Sequence, residues 1–443
     1  MRRDVNPTAP TGGAILQPKL YAVTQPEHAT SSNMNAADET PPQRVAWTHW
    51  KNVILLALCQ ALYISTASLM IAIGGLVGQA LADDKALSTL PVSAVFVGTA
   101  LSTIPASLIM GRIGRRLGFI GGSLFGVTGS LVSFAGLQAG NFWIFSLGTF
   151  LVGSYGATSQ LYRLAAVDNV PESFKSKAIS LVLAGGVLAG FAGPQIGKWT
   201  KDVLPIEFLG SYLTITAMCV AAIGLQSFLN IPKPRRQSGG GDQRRLTTIL
   251  RQPVFVVAVL SGMVGYGVMN LLMTATPLAM THVGHAFDSA ATVIQWHLMG
   301  MFVPSFFTGH LIARFGVLRV IVTGVLLGVG SITAGLTGET FVHYWAALLL
   351  LGVAWNFMFV GGSTLLTEAY AEAERPKTQA ANEFLIFGTV ALASLSSGTL
   401  LYYVGWQVVL WVSLPLLAAA GSGAMWLGLY RRRAAVAAAG DGA

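Results

Sequence analysis

Apolar residues run along this chain in long blocks separated by short polar turns. Six blocks fill the first half, at about 52–81, 88–110, 117–137, 142–167, 178–199 and 208–229. Six more fill the second, at about 253–283, 289–313, 317–336, 341–370, 380–404 and 407–430. A helix needs about 20 apolar residues to cross a bilayer, whereas a barrel strand needs about ten with strict alternation. The blocks are continuous and long, so they predict helices. The expected fold is an all-α membrane protein, with 12 transmembrane helices in two pseudo-symmetric six-helix bundles, 46–230 and 252–431. Residues 1–45 are polar and lack the apolar core of a cleaved secretory signal, which predicts a disordered cytoplasmic tail. The longest internal polar segment, 231–251, reads as a cytoplasmic linker between the halves, and 432–443 as a second cytoplasmic tail.

Composition agrees: 53% of the 443 residues are hydrophobic and only 10% are charged, against about 25% in a soluble domain. The net charge of +9 would suggest nucleic acid in a soluble protein. Here its placement matters more, because basic residues crowd the cytoplasmic loops of membrane proteins. With both termini inside, all but four of the 27 Lys and Arg fall on the tails, the linker or the even-to-odd turns. Lys85, Lys198 and Lys201 lie on the other side, and Arg163 lies within span four. Cys59 and Cys219 both sit in apolar blocks, so neither a disulfide framework nor a metal site is expected.

One basic turn is repeated. Residues 104–119 read IPASLIMGRIGRRLGF, and residues 303–316 read VPSFFTGHLIARFG. Arg112 and Gly114 recur as Arg314 and Gly316, and the same spacing takes Lys175 to Lys377 and Ala178 to Ala380. Two six-span halves in parallel repeat are the architecture of a rocking-bundle transporter.

On these residues the chain resembles the major facilitator superfamily of secondary transporters, whose signature between spans two and three is Gly-x-x-x-Asp/Asn-Arg-x-Gly-Arg-Arg/Lys. The match is Ser107-x-x-x-Gly111-Arg112-Ile113-Gly114-Arg115-Arg116, and in the second half Gly309-x-x-x-Ala313-Arg314-Phe315-Gly316. Arg-x-Gly survives twice, while the acidic position is lost in both copies. The resemblance implies that Arg112, Gly114, Arg115, Arg116, Arg314 and Gly316 belong to a conformational latch, with Asp168 and Glu368 as the remaining acidic partners. Span five, GGVLAGFAGPQIGKW, is similar to the Gly–Pro motif of drug/proton antiporters, although small residues four apart also simply let helices pack. Span one has no acid, and Thr149 stands where those antiporters carry an arginine.

Polar residues within spans are costly in lipid and mark candidate sites. Arg163, with Gln160 beside it, reads either as an anion-binding residue in a central cavity or as a snorkelling anchor paired with Asp168 or lipid phosphate. Gln295 and His297 lie on span eight, and His297 is either a proton carrier or a neutral hydrogen-bonded residue. Asn270 with Pro277 predicts a bent or broken span seven. Trp355 and Asn356 in span ten, and Gln60 and Tyr63 in span one, suit an organic solute with a ring or an amide, or else plain packing. Glu383 can titrate within span eleven or sit as a favourable negative charge at a helix N-terminus.

No nucleotide-phosphate loop and no metal-ligand cluster occurs in the sequence, so no cofactor and no enzyme activity are expected. The expected function is alternating-access transport of a small neutral or anionic organic solute, with proton coupling as one option. Alternatives are a drug or metabolite exporter and a non-transporting membrane sensor with the same fold. The expected partners are the solute and the lipid bilayer, without nucleic acid. A monomer suffices, and a bacterial inner membrane is the simplest location.

Overall fold

The computed structural model describes residues 47–168, 170–231 and 244–440. The tail 1–45, most of the linker and the side chains of Lys175 and Lys177 lie outside that description. Fourteen α-helices and three short 3-10 turns, with no strand, make up the described residues. The helices are α1 (Trp47–Leu81), α2 (Leu90–Ile113), α3 (Arg115–Gln138), α4 (Phe142–Ser159), α5 (Tyr162–Ala165), α6 (Glu172–Thr200) and α7 (Leu209–Ser227). There follow α8 (Leu246–Leu250), α9 (Pro253–His282), α10 (Phe287–Phe302), α11 (Ser305–Phe315), α12 (Val317–Leu336), α13 (Phe341–Leu366) and α14 (Arg375–Gly440).

Eight helical stretches among the described residues are long and apolar enough to cross a membrane. One of them, Arg375–Ala434, holds two of the predicted spans, joined at a non-helical Gly405 with φ 82°. Three predicted spans are not among the eight, and two of these are broken. Span four stops at Ser159, because the hydroxyls of Thr158 and Ser159 both donate to the Tyr155 carbonyl, at 2.9 and 3.0 Å. Such back-bonding competes with the helix ladder. Arg163 therefore rides on the separate short helix α5, not within a continuous span. Span eight breaks between α10 and α11 at Val303–Pro304, where proline removes a ladder donor. The third, span five, lies within α6, whose first turns carry Glu172, Lys175 and Lys177. Of the bend or break expected in span seven, a break does not occur: α9 runs as one helix through Asn270 and Pro277.

The repeat is visible in the backbone. Gly114 (φ 95°, ψ 163°) joins α2 to α3, and Gly316 (φ 87°, ψ 148°) joins α11 to α12 in nearly the same conformation. Only glycine adopts such angles readily. A close helix approach repeats as well. A Cβ on Gly98 would stand 2.1 Å from the Phe150 carbonyl oxygen of α4, and one on Gly300 would stand 2.7 Å from the Leu349 oxygen of α13. Within the first half α1 packs on α6 and α3 on α4 and α7. Within the second α9 packs on α13 and α14, and α12 on α13. Between them α6 meets α10, and α2 meets α14.

We call the end carrying Arg112, Arg115 and Arg314 the basic end. At the opposite end the two halves are tied by hydrogen bonds. Thr89 Oγ1 donates to the Ser394 carbonyl at 2.9 Å and accepts from the Gly398 N–H at 3.0 Å. Thr399 donates to the Ala86 carbonyl, Gln195 to Gln295 at 2.8 Å and Lys198 to Thr292 at 2.8 Å.

Candidate functional site

Two connected cavities lie between the halves. The larger, about 630 Å³, sits at the basic end. Its walls are the second half of α2, the α5 segment and the start of α14, with Arg115, Asp168, Arg375, Gln379 and Glu383 as the polar lining. The smaller, about 100 Å³, lies deeper, at mid-helix. Phe387 belongs to both and marks the boundary.

The inner chamber is an aromatic box with a few polar edges. Tyr63 and Phe96 form one side, and Tyr266, Phe302 and Phe387 the other. Tyr63 is held edge-on against Tyr155, with ring centroids 5.4 Å apart. Tyr266 is wedged edge-on against Trp355 at 5.2 Å and Phe359 at 5.4 Å, and those two rings stack on each other at 5.0 Å. Edge-to-face and offset packing fix ring orientation and add about 0.5–1.5 kcal/mol per pair beyond area burial. The rings facing the chamber are thus braced from behind. Gln160 and Asn270 supply amides to the lining. The Asn270 amide nitrogen donates to the Val390 carbonyl at 3.2 Å, but its oxygen is buried without a hydrogen-bond partner. An unmet buried acceptor costs about 1–3 kcal/mol.

The predicted site residues divide accordingly. Tyr63, Gln160 and Asn270 line the chamber, and Glu383 lines the outer cavity. Trp355 stands one layer back, behind Tyr266. Gln60 lines neither cavity. Gln295 accepts from Gln195 in the seal at the opposite end. His297 turns away from the chamber, with Nδ1 on the Leu348 carbonyl at 2.7 Å and Nε2 buried without a partner. Asn356 repairs the α10–α11 break: it donates to the Met301 carbonyl at 2.7 Å and to Ser305, and accepts from Thr308 at 2.6 Å.

Arg163 and Glu383 belong to different halves and lie near enough for their charges to interact. The charge of Arg163 is felt at Glu383 and at the Tyr266 hydroxyl. α5, which carries Arg163, is moored by its neighbour Tyr162, whose hydroxyl accepts from Gln226 at 2.8 Å, and Ser123 completes that buried network. At the basic end Arg115 pairs with Asp168 at 3.0 Å and Arg431 with Glu368 at 2.6 Å. Arg314 lies over the Phe315 ring, and Arg112 and Arg116 are exposed.

The same twofold pattern extends to known proteins. The family model of the Major Facilitator Superfamily matches residues 55–293 and 263–442. The chain is 42% identical over 371 residues to the riboflavin transporter RfnT of Brucella anthropi, covering 83% of this chain and 93% of that one. This chain belongs to the major facilitator superfamily. Further relatives include the purine ribonucleoside efflux pump NepI of Salmonella typhimurium, 22% identical over 77% of this chain and 84% of that one. The crystal structure of the nucleoside transporter NupG superposes with a TM-score of 0.64 at 14% identity, over 85% of this chain and 99% of that one. It shares the facilitator fold. Like other members of the superfamily the chain is an integral membrane transporter of small organic solutes, not an enzyme.

The sequence analysis did not single out Phe96, Tyr266, Phe302 or Phe387. Nothing in an apolar helix distinguishes an aromatic that faces a chamber from one that faces a neighbouring helix. The antiporter-like span five turns out to pack closely: a Cβ on Gly193 would fall 1.9 Å from Ser68 Oγ of α1.

Proposed function

We propose that this facilitator carries a flat, neutral heteroaromatic solute across a bacterial inner membrane, with riboflavin the first to test. The observation that carries the reading is the braced aromatic chamber with an unmet amide acceptor. At about 100 Å³ the chamber is smaller than a fused ring system, so the ring enters as the halves move and the chamber widens into the outer cavity, where the aromatic walls stack it and the Asn270 oxygen can take a ring N–H or a hydroxyl. The 630 Å³ outer cavity adds room for a polar side arm. The 42% identity to a riboflavin transporter points to the same solute class. Purine ribonucleosides, the cargo of the relative NepI, are also flat heteroaromatics with a polyhydroxyl arm.

With both termini cytoplasmic, the basic end faces the cytoplasm and the described conformation is inward-open. Twelve spans form two six-helix halves that rock about the chamber as one monomer. Glu383 is the proton carrier of this scheme. It faces the cavity and, among the described residues, makes no hydrogen bond, so it can exchange a proton without breaking one. Arg163 opposite it favours the charged form when the basic end closes. Asp168 holds Arg115 of the latch in place of the lost acid, while Glu368 holds Arg431 at the end of the last span instead.

The test is uptake of radiolabelled riboflavin by a riboflavin-requiring bacterium that lacks its own carrier. Expression should restore growth on low riboflavin, and Tyr266→Ala should cut the initial rate about tenfold, near 1.4 kcal/mol of binding. Uptake no faster than in control cells, with folded protein present in the membrane, would overturn the reading.

A further inference from the structure

A third cavity, about 550 Å³, opens at the end opposite the arginines. It lies beyond the seal formed by Thr89, Ser394 and Gly398, on the far side from the central chamber. Both halves build it: Gln79 and Lys85 come from the first, and His282, Tyr344, Tyr402 and Trp406 from the second. Small-molecule sites run from about 300 to 1,000 Å³, so the size fits a solute. Lys85 is already committed, donating to the carbonyls of Gln79 and Ala82 at 2.7 Å. The aromatic wall is not. Tyr344 and Trp406 lie 5.4 Å apart, ring to ring, and the Tyr344 hydroxyl and the Trp406 indole N–H are both buried without a hydrogen-bond partner. Tyr402 is 57% exposed beside them. Two unmet donors in one aromatic wall match the carbonyl and ring-nitrogen acceptors of a flat heterocycle.

We propose that this mouth cavity is a second solute site, taking the same flat heteroaromatic class, and that its occupancy holds the opposite end shut. The solute class rests on the transport reading above. The locking follows from the construction. The walls belong to different halves, so the cavity has this shape only while those halves meet at this end. A ligand binding one conformation stabilises that conformation in proportion to its differential affinity. Solute at high concentration on this face should therefore slow its own transport.

The test is riboflavin titration of the purified full-length protein, followed by quenching of flavin fluorescence, with initial uptake rates over the same concentration range. The wild type should bind two equivalents, and uptake should fall at high riboflavin. Tyr402→Ala and Trp406→Phe should each weaken one equivalent about tenfold and remove the fall-off, leaving uptake at low riboflavin unchanged. Tyr266→Ala should remove the other equivalent. A single equivalent in the wild type, or two that ignore both mouth variants, would overturn the inference. An equivalent sensitive to Trp406→Phe together with none sensitive to Tyr266→Ala would sustain the mouth site and defeat the transport reading. No binding at all would defeat both.

Discussion

The two ends of this bundle are built from the same helices and hold together by different means. At the opposite end, short side chains reach across the halves to backbone: Thr89 to Ser394 and Gly398, Thr399 to Ala86. These are neutral contacts, each worth about 0.5–1.5 kcal/mol, that form only when the backbones come close, and two lysines at the end of α6 join them, Lys198 on Thr292 at 2.8 Å and Lys201 on Asp288 at 3.7 Å. At the basic end none of the charged pairs Arg115–Asp168, Arg431–Glu368 and Arg244–Glu374 joins one half to the other: the first two lie within a half, and the third ties the linker to the second half. Between the halves lies a 630 Å³ cavity lined by Arg115 and Asp168 from the first half and by Arg375 and Glu383 from the second, with Arg163 near enough to Glu383 for their charges to interact. The difference teaches how one fold can be bistable. One mouth is closed by many weak, separable bonds. The other keeps its strong pairs as rigid fittings and leaves opposed charges to meet on closing, Arg163 and Glu383 among them.

The largest effect should come from that opposed pair. Arg163→Glu places two acids across one mouth, and transport should fall on the order of a hundredfold, about 2.7 kcal/mol. The double variant Arg163→Glu with Glu383→Arg should recover a large part of the loss in the same uptake assay. Equal loss in the single and the double variant would break the comparison, because each residue would then act alone.

A smaller effect should follow at the sealed mouth. Thr89→Val removes one donor and one acceptor at nearly constant volume. The halves should part more readily there by about 1–2 kcal/mol, and a cysteine placed at Ser394 should react with a water-soluble maleimide about tenfold faster. Unchanged labelling would show that packing, not the Thr89 bonds, closes that end.

The smallest effect concerns the fittings themselves. Glu374 is almost fully buried, and Arg244 grips it through two nitrogens, at 2.6 and 2.9 Å. The side-chain hydrogen bond from Arg244, helped by the Ala371 N–H, holds its carboxyl down at about 2, against an ordinary value of 4.5. A depressed folded-state value stabilises the fold above the unfolded value and loses that contribution as pH falls through the folded one. Glu374→Gln should therefore lower Tm at neutral pH, and the gap to wild type should narrow as pH drops from about 4.5 toward 2. A gap independent of pH would mean that shape, not charge, matters at this position.

Much of the fold was legible because bilayer-spanning helices advertise themselves by length and hydropathy. The duplicated Arg-x-Gly turn was equally plain, since Gly114 and Gly316 need the same left-handed angles. The breaks were harder. Proline at 277 predicted one and proline at 304 made one, and the sequence around each is similarly apolar. What differs is tertiary: Asn356, distant in sequence, supplies the bonds that let the chain break at Val303–Pro304. The short helix carrying Arg163 was hidden for a related reason, because Thr158 and Ser159 can cap a break or decorate a continuous helix. For the site, the amides and Tyr63 could be read as costly polar groups in lipid. The phenylalanines of the chamber could not, because burial against a neighbour and burial against a solute leave the same residue type. The tie between Arg244 and Glu374 joins positions 130 apart and has no local signature.

The central claim is that the two mouths open in turn around the aromatic chamber. Spin labels at Leu108→Cys and Phe384→Cys, which face the outer cavity from α2 and α14, measure the basic mouth directly. Their distance distribution should be long without solute, and should gain a shorter population when Thr89→Val loosens the opposite end. A single distance, unmoved by that variant and by riboflavin, would contradict alternating closure of the two ends.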